Sequence, residues 1–371
     1  MAKESASKAA KRPAARTESE ASVKAELERT DRELVKLANE RAKLYARLHK
    51  LNNSATHCPP EPEPEAIVRA ISHNKGPLTN DCLRGLFREL ISGARSLEKP
   101  QRVAVLGPAY SYSHLAALDR FGTGAESVPV GSIAAVFEEV NRGHANFGVV
   151  PIENSTDGRI ADTLDMFTRL PVRICGEVQL RIHHYLLGRC PRADVTEVYS
   201  RPQALSQCRN WLLRHLPAAR PIEVTSTSTA AQLAQDKPGA AAIASVQAGI
   251  HYGLDVLAEN IEDNQANVTR FAVLGHEPAA RTGHDKTALM FEVAHRPGSL
   301  ADAITIFKRG KLNLTWIESF PIPQCEGHYL FFVELDGHFT DTRVRKALTA
   351  LEKRAVRLET LGSYPRSQPV G

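Results

Sequence analysis

The 371-residue sequence has few of the features that mark several protein classes. Its six cysteines lie far apart, with no Cys-x-x-Cys motif or His/Cys cluster, so we expect no zinc or other metal site. Isolated thiols in a chain of this size are typical of the reducing cytoplasm. No stretch approaches the roughly 20 apolar residues that a membrane span needs. We therefore predict a cytoplasmic protein that does not insert into a membrane.

A strong charge of either sign is also missing. The chain has 47 Lys and Arg against 42 Asp and Glu, which gives a net charge of +5. This excess is too small to indicate nucleic acid, and the basic residues lack the interleaved aromatics of nucleic-acid sites. It favours a small anionic substrate instead. Residues 1–18 have no apolar core and are therefore not a secretory signal, so we predict a disordered tail there.

Residues 19–98 are predicted to form an all-α domain of three helices. The first helix, over about 19–51, carries an apolar stripe at helical spacing, which a single long helix cannot bury alone. We therefore predict that this domain forms a dimer. The other two helices are expected near 65–74 and 79–97, the latter with a cap at its start. The stripe consists of Leu27, Leu34, Leu37, Leu44, Leu48 and Leu51.

From Arg102 the pattern changes to short apolar strands that alternate with helices as far as about residue 276. This alternation predicts an α/β domain over 101–276, with a mainly parallel sheet and two lobes around a crevice. Residues 277–285 are predicted to be a linker. The last region, 285–367, has the strand and helix order β-α-β-β-α-β, which predicts a ferredoxin-like α+β domain. The whole chain is thus predicted to be multidomain.

Two polar clusters border apolar strands in the α/β region. Phe147–Ile152 leads directly into Glu153-Asn154-Ser155-Thr156, and a second cluster, Asn267, Thr269 and Arg270, precedes another apolar strand. Small anions bind to loops at the carboxyl ends of strands in open α/β sheets. We therefore predict that the two clusters form two walls of one anion site.

Five ordered motifs run through residues 107–271. They are Gly107-Pro108-x-x-Ser111-Tyr112-Ser113-His114-x-Ala116-Ala117, Val149-Val150-Pro151-Ile152-Glu153-Asn154-Ser155, Tyr199-Ser200-Arg201-Pro202-Gln203-Ala204-Leu205, Ser226-Thr227-x-x-Ala230-Ala231 and Asn267-x-Thr269-Arg270-Phe271. With these motifs the chain resembles the bacterial P-protein family, in which a chorismate mutase is fused to a prephenate dehydratase and a C-terminal ACT regulatory domain. The resemblance covers roughly residues 20–368. It departs from the family at Tyr110 and Arg201, where the family usually has Gly and His.

The resemblance implies a periplasmic-binding-protein-like dehydratase domain. Such a domain converts prephenate to phenylpyruvate, carbon dioxide and water without a cofactor. The resemblance also implies that Thr269 is the catalytic residue beside the leaving hydroxyl. A threonine is a poor acid, so we expect it to donate a hydrogen bond or relay a proton, with His114 and Glu153 as alternative acids. The residues predicted to bind the substrate are Ser111, Asn154, Ser155, Thr156, Thr227 and Arg270.

Structural roles are open alternatives for several of these residues. Ser, Thr and Asn are favoured helix caps, and a cap can expose backbone N–H groups to an anion, so both roles can hold at one position. Arg270 is either a two-pronged clamp for a carboxylate or a partner in a structural ion pair. His183 and His184 are adjacent on a predicted strand and should point to opposite faces, so we expect no metal between them.

The resemblance also assigns a mutase site, in which few of the family's cations remain. Two cations are absent, and a glutamine has become a glutamate. Each lost charge-assisted hydrogen bond is worth about 1.5–3 kcal/mol, and about 1.36 kcal/mol is tenfold in rate. We predict a degenerate mutase domain, with full bifunctionality as the alternative if the alignment shifts in the proline-rich stretch. The residues at the family's positions are Lys24, Arg41, Asn52, Pro64, Glu65 and Glu98.

The resemblance finally implies feedback inhibition by phenylalanine at paired ACT domains, in a homodimer or a dimer of dimers. Phe320 stands where the family has Arg. An amino-acid-sensing binding protein is the alternative from another class, because fold does not fix function. Such a sensor would keep Gly298 and Glu318 but lose Thr269 and Asn154, and this chain keeps all four. The implied effector residues are Gly298, Ser299, Leu300, Glu318 and Ser319.

Overall fold

The computed structural model describes most of the chain. The predicted tail and the candidate residue Glu98 lie outside the described residues. No helix in the described part is both long enough and apolar enough to cross a membrane. The described ranges are 19–51, 65–97, 100–322 and 328–370.

The chain divides into two compact units, and the first of them ends at Leu51. Its described part is one helix, α1 (Glu20–Leu51), with 32 residues, which corresponds to about 48 Å. All six leucines of the predicted stripe lie on this helix, and each is more than half exposed. The helix alone therefore leaves its apolar stripe exposed to solvent, as the sequence predicts.

The second unit begins with two short helices, α2 (Glu65–Ser72) and α3 (Asn80–Ser96). Thr79 caps α3, because its side chain accepts a hydrogen bond from a backbone N–H at 3.2 Å. An ion pair of 2.7 Å between Arg88 of α3 and Asp119 fixes the helix to the α/β part of the same unit.

The first lobe of the α/β part is built on a mixed sheet. Its strand order is β16-β5-β11-β3-β1-β2, with the short β4 paired to β3. Buried apolar strands alternate with helices along this part of the sequence, as predicted. The elements are β1 (Arg102–Leu106), α4 (Tyr112–Phe121), β2 (Glu126–Val130), α5 (Ile133–Asn141), β3 (Phe147–Asn154), β4 (Gly158–Arg159), α6 (Ala161–Arg169), β5 (Arg173–Arg181), β11 (Val268–Gly275) and β16 (Pro369–Val370).

The second lobe is a five-stranded sheet with the order β10-β6-β9-β7-β8. The chain enters it through residues 182–184 and returns through 259–267, so two crossovers join the lobes. This is the two-lobed α/β topology that the sequence predicted. The prediction of a mainly parallel sheet was wrong, because both sheets also contain antiparallel pairs, β3–β11 and β5–β11 in the first and β6–β9 and β6–β10 in the second. The elements are β6 (Tyr185–Gly188), β7 (Glu197–Ser200), α7 (Pro202–Gln207), α8 (Arg209–His215), β8 (Arg220–Glu223), α9 (Thr227–Asp236), β9 (Ala240–Ala244), α10 (Val246–Tyr252) and β10 (Asp255–Ala258).

The remaining elements form a four-stranded antiparallel sheet with the order β13-β14-β12-β15. Strands and helices follow one another in the order β-α-β-β-α-β, as expected from the sequence. Strand β13 lies at the edge of this sheet. The elements are β12 (Asp285–Val293), α11 (Ser299–Arg309), β13 (Leu314–Pro321), β14 (Tyr329–Asp336), α12 (Thr342–Glu352) and β15 (Ala355–Pro365).

The third sheet shares one apolar core with the first lobe. Met290, Phe332 and Tyr364 of the third sheet belong to the same buried cluster as Val150 and Phe167. At Gly362 of β15 the two parts approach so closely that an added Cβ would lie 1.9 Å from the carbonyl oxygen of Ile174. Glycine is therefore required at this contact.

Candidate active site

The two predicted polar clusters meet through Asn154 and Thr269. Strands β3 and β11 are antiparallel, and Thr269 lies opposite Asn154 in their register. The Nδ2 of Asn154 donates a hydrogen bond to the Oγ1 of Thr269 at 2.7 Å. Both side chains are buried, with 8% and 9% exposure. The structure thus brings together the two residues on which the predicted site depends.

The amide of Asn154 is held in one orientation. Its Oδ1 accepts hydrogen bonds from the backbone N–H groups of Thr156 at 2.9 Å and Asp157 at 3.0 Å. Its Nδ2 donates to the Oδ1 of Asn267 at 3.0 Å as well as to Thr269. A flipped amide would place donors against donors. Because the oxygen of Thr269 accepts this bond, the hydroxyl hydrogen of Thr269 is left to donate elsewhere.

Gln207 joins this cluster from the other lobe, at the end of α7. Its Oε1 accepts a hydrogen bond from the Nδ2 of Asn267 at 3.1 Å, and its Nε2 donates to the Oδ2 of Asp157 at 3.0 Å. The sequence analysis missed Gln207, because the motif considered there ends at Leu205. The sequence signal that could have identified Gln207 is its position as a polar residue just beyond the motif. Gln207 therefore bridges the two lobes at the site.

His184 supports Gln207 from behind. Its Nε2 lies 2.9 Å from the Oε1 of Gln207, and its Nδ1 lies 3.2 Å from the hydroxyl of Tyr112. Burial lowers the pKa of His184, so the ring is neutral near pH 7. The acceptor at Gln207 then assigns the proton to Nε2.

The adjacent His183 has a different partner. Its Nδ1 lies 2.8 Å from the carboxylate of Glu262, and the same carboxylate accepts the backbone N–H of His184 at 2.9 Å. Glu262 thereby ties the two crossovers together. Among the residues that the structure describes, no group of three or more His, Cys, Asp or Glu is arranged to hold a metal ion.

Two of the predicted hydroxyl groups, those of Ser111 and Ser155, form hydrogen bonds with the backbone. Ser111 caps α4, accepting the N–H of His114 at 3.4 Å and donating to the carbonyl of Leu106 at 2.9 Å. The Oγ of Ser155 accepts the N–H of Val268 at 2.9 Å. The capping alternative is thus observed for Ser111.

Other predicted residues lie around the same loops. Thr227 is in the first turn of α9, directly after its cap Ser226. The next residue, Ser228, donates to the carbonyl of Ala109 at 2.6 Å, which holds the start of α9 against the loop before α4. The two helix N-termini therefore lie on facing lobes.

The alternative acids have other partners. The Nδ1 of His114 accepts the N–H of Tyr110 at 2.9 Å, and burial lowers the pKa of His114. Tyr110 has a φ of +63°, a conformation in which residues other than glycine are uncommon. Glu153 accepts a hydrogen bond from Arg270 at 2.7 Å.

Arg270 lies in a buried ion-pair network and not in the cleft with Thr269. Its guanidinium donates to Glu153 at 2.7 Å, to Glu177 at 3.0 Å and to Glu334 at 2.7 Å. Burial opposes its charge, but the attraction of Glu334 and its neighbours outweighs burial and raises the pKa of Arg270. Adjacent strand residues face opposite sides. The structure thus shows the ion pair that the sequence left as the alternative, and Arg270 leaves the candidate site.

A different arginine lies near the site. Arg201 immediately precedes α7. Partial desolvation lowers the pKa of its guanidinium, while the nearby carboxylate of Asp157 opposes this shift. The sequence analysis gave Arg201 no chemical role, because it departs from the family there. Its guanidinium therefore carries a positive charge close to Asp157, a residue of the candidate site.

The remaining predicted residues lie elsewhere. Gly298 precedes α11 with a φ of +86°, and Ser299 and Leu300 begin that helix. Glu318 and Ser319 are on β13. Of the mutase positions, Lys24 pairs with Glu20 at 2.6 Å and Arg41 is also on α1, whereas Glu65 begins α2.

Comparisons with known proteins agree with this architecture. A family model described as prephenate dehydratase matches residues 103–279. A bifunctional chorismate mutase/prephenate dehydratase of Aquifex aeolicus is 41% identical over 350 residues, which are 92% of this chain and 96% of the relative. The structure of a prephenate dehydratase from Arthrobacter aurescens in complex with L-Phe has a TM-score of 0.66 and 33% identity, covering 73% of this chain and 92% of that one. A solved quorum-quenching acylase, GqqA, has a TM-score of 0.66 and 28% identity, covering 72% and 98%.

Proposed function

The chain belongs to the bifunctional chorismate mutase/prephenate dehydratase family, and we propose that it converts prephenate to phenylpyruvate, carbon dioxide and water. The observation that carries this proposal is the bond from Asn154 to Thr269. It leaves the Thr269 hydroxyl as a buried donor at a point where Gln207 of the second lobe contacts Asn267. Fold alone does not decide the activity, since a similar fold is found in an acylase.

The chemistry needs little more than positioned donors. The bond between the ring and its carboxylate breaks to release carbon dioxide, and the electron pair enters the ring. The ring hydroxyl then leaves with one proton as water, and the ring becomes aromatic. Thr269 donates a hydrogen bond to the leaving oxygen or relays the proton to it from water, because a donor aimed at developing negative charge lowers the barrier.

The two carboxylates of prephenate require separate partners. Ser111 and Thr227 lie at the N-termini of α4 and α9 on facing lobes, where backbone N–H groups and the helix dipole favour an anion. Arg201 supplies a positive charge at the same cleft. Asn154, Ser155 and Thr156 form the turn that carries the donor side of the site. No cofactor is needed, since aromatisation supplies the driving force.

The deciding experiment is an ultraviolet assay of the purified full-length chain, with prephenate or chorismate as the separate substrates. Phenylpyruvate should form from prephenate without an added metal or cofactor. A chain that folds and leaves prephenate unchanged would overturn the proposed function. Quorum-quenching acylase activity in the same sample, without prephenate turnover, would favour an acylase.

The same assay tests the N-terminal mutase. We propose that residues 19–98 serve mainly in dimerisation and have little mutase activity. The supporting observations are in the sequence, where only Arg41 and Glu65 match the family's groups and Lys24 replaces an arginine. Prephenate formation from chorismate at a rate comparable to prephenate turnover would instead establish a fully bifunctional enzyme.

We propose phenylalanine as the feedback inhibitor, with residues 285–367 as an ACT domain. The relative from Arthrobacter aurescens was solved with L-Phe, and the sheet of this region has the β-α-β-β-α-β order. Phenylalanine would contact Gly298, Ser299 and Leu300 at the start of α11, and Glu318 and Ser319 on β13. In such domains two copies supply one site, so the active form would be a homodimer or a dimer of dimers. Turnover measured against added phenylalanine tests this point.

A further inference from the structure

Strand β13 of the third sheet touches the catalytic hairpin directly. The hairpin consists of β3, the turn at 155–157 and β4, and its register pairs Asn154 with Gly158 and Glu153 with Arg159. Gly158 has a φ of +82°, which favours glycine at this turn. The Asn154 side chain and the Asp157 carboxylate of this hairpin both belong to the candidate site.

Arg159 makes the polar part of this contact. Its Nη1 donates to the Oε2 of Glu318 at 3.1 Å and to the backbone carbonyl of Ser319 at 2.7 Å. The side chains of Arg159 and Glu318 are 37% and 29% exposed. One guanidinium nitrogen therefore holds both a side chain and the backbone of β13.

The apolar part of the contact lies on the same face of β13. Exposure alternates along this strand, so that Trp316, Glu318 and Phe320 are half-buried while Ile317 and Ser319 are exposed. Trp316 and Phe320 pack against the cluster that contains Ile152 of β3. The Trp316 ring also lies 5.9 Å from the guanidinium of Arg270, the residue after Thr269. One face of β13 thus rests on both strands that present the site.

We propose that Arg159 is a positioning residue that transmits the state of β13 to the catalytic hairpin. An effector bound at Glu318 and Ser319 moves these two groups relative to Arg159. The hairpin follows through β4, and Asp157 then shifts against Gln207 of the facing lobe. The inference rests on the proposed function, because turnover of prephenate is the quantity that the effector changes.

The test uses the full-length chain with Arg159→Gln, which removes the charge, and Arg159→Lys, which keeps it. Arg142→Gln is the matched control, because Arg142, directly after α5, forms an exposed 2.7 Å ion pair with Glu138 of that helix. Prephenate turnover is measured without and with saturating L-phenylalanine. Phenylalanine binding to each variant is measured separately by calorimetry.

R159Q should bind phenylalanine and yet keep most of its prephenate turnover at saturating phenylalanine. In the wild type and R142Q, phenylalanine should lower the turnover on the order of tenfold, a usual size for coupling between sites. R159K should retain part of the inhibition. If R159Q does not fold, Arg159→Met, which keeps the side-chain length, replaces it in the same comparison.

Three results would overturn the inference. They are inhibition of R159Q equal to that of the wild type, loss of phenylalanine binding in R159Q, and a wild type that turns over prephenate but ignores phenylalanine. A wild type without prephenate turnover in the absence of phenylalanine would refute the proposed function itself, and this inference with it.

Discussion

Asn154 donates to Thr269 across the β3–β11 pair, and this 2.7 Å bond fixes the direction in which the threonine can act. The donor atom Nδ2 cannot exchange places with Oδ1, which already accepts two backbone N–H groups. Thr269 therefore receives one hydrogen bond and offers one. This polarity is the basis of the first two predictions below.

Removing the hydroxyl of Thr269 should remove most of the activity. Thr269→Val keeps the shape of the side chain but has no hydrogen to donate. We expect kcat to fall by roughly 100- to 1,000-fold, as when one donor to a developing negative charge is lost. Steady-state kinetics with prephenate measure this. Thr269→Ser should keep a substantial part of kcat, and Thr349→Val, at an exposed position of α12, should behave as the wild type. Near-normal kcat in T269V would refute the role of Thr269.

Asn154→Asp is nearly isosteric and should still be severely defective. The carboxylate would accept the two backbone N–H groups but would also take the hydrogen of Thr269, so the donor would turn away from the substrate. We expect kcat to drop at least as far as in T269V, by roughly 100-fold or more. Circular dichroism should confirm that the variant is folded. A variant with near wild-type kcat would show that the polarity of this bond is unimportant.

The hydrogen bonds of Gln207 should control how closely the two lobes approach each other. Gln207→Glu places a negative charge beside Asp157 and the dianionic substrate. We expect KM to rise by roughly tenfold, equivalent to about 1.4 kcal/mol. Gln207→Met removes the hydrogen bonds without adding charge, so it separates the two effects. The matched control is Gln232→Glu on the exposed face of α9. Equal KM values for Q207E and Q232E would argue against the bridge.

The Arg270 network should contribute to stability rather than to substrate binding. Arg270→Met leaves the buried Glu177 and Glu334 with Lys286 as their remaining cation, at 3.3 and 3.7 Å, and breaking a buried pair in this way costs about 3–5 kcal/mol. Chemical denaturation measures the loss. Arg357→Met breaks a more exposed pair with Glu359 and should cost less than about 1 kcal/mol. If R270M were as stable as R357M, the network would have no structural importance.

Stability should fall when the pH is lowered below about 6.5. Burial lowers the pKa of both His114 and His184 in the folded state, whereas an unfolded histidine titrates near 6.5. Between the two values the unfolded chain binds more protons, so the free energy of unfolding decreases as pH falls. Each group contributes a slope of up to about 1.36 kcal/mol per pH unit. Denaturation between pH 7.5 and roughly 5.5 measures it, with His184→Gln expected to reduce the slope. An identical slope in H184Q would contradict this assignment.

The sequence predicts the strands of the site better than the directions of its side chains. Apolar runs located β3 and β11, and their polar neighbours identified Asn154 and Thr269 as candidates. The same analysis placed Arg270 in the site, although its side chain points to the face of β11 opposite that of Thr269. Gln207 was missed because it lies two residues beyond the motif that ends at Leu205, and its approach from the other lobe depends on tertiary packing that no local pattern encodes. The packing of Phe320 against the core of the first lobe could not be predicted either, because it also depends on tertiary structure.

Gly362 and its contact with Ile174 limit how this protein can be taken apart. The third sheet cannot be exchanged as an independent domain, because the face that packs on the first lobe also forms part of that lobe's core. A chain cut between β11 and β12 would expose that lining to water. The third sheet could therefore be replaced in evolution only together with the surface of the first lobe on which it packs.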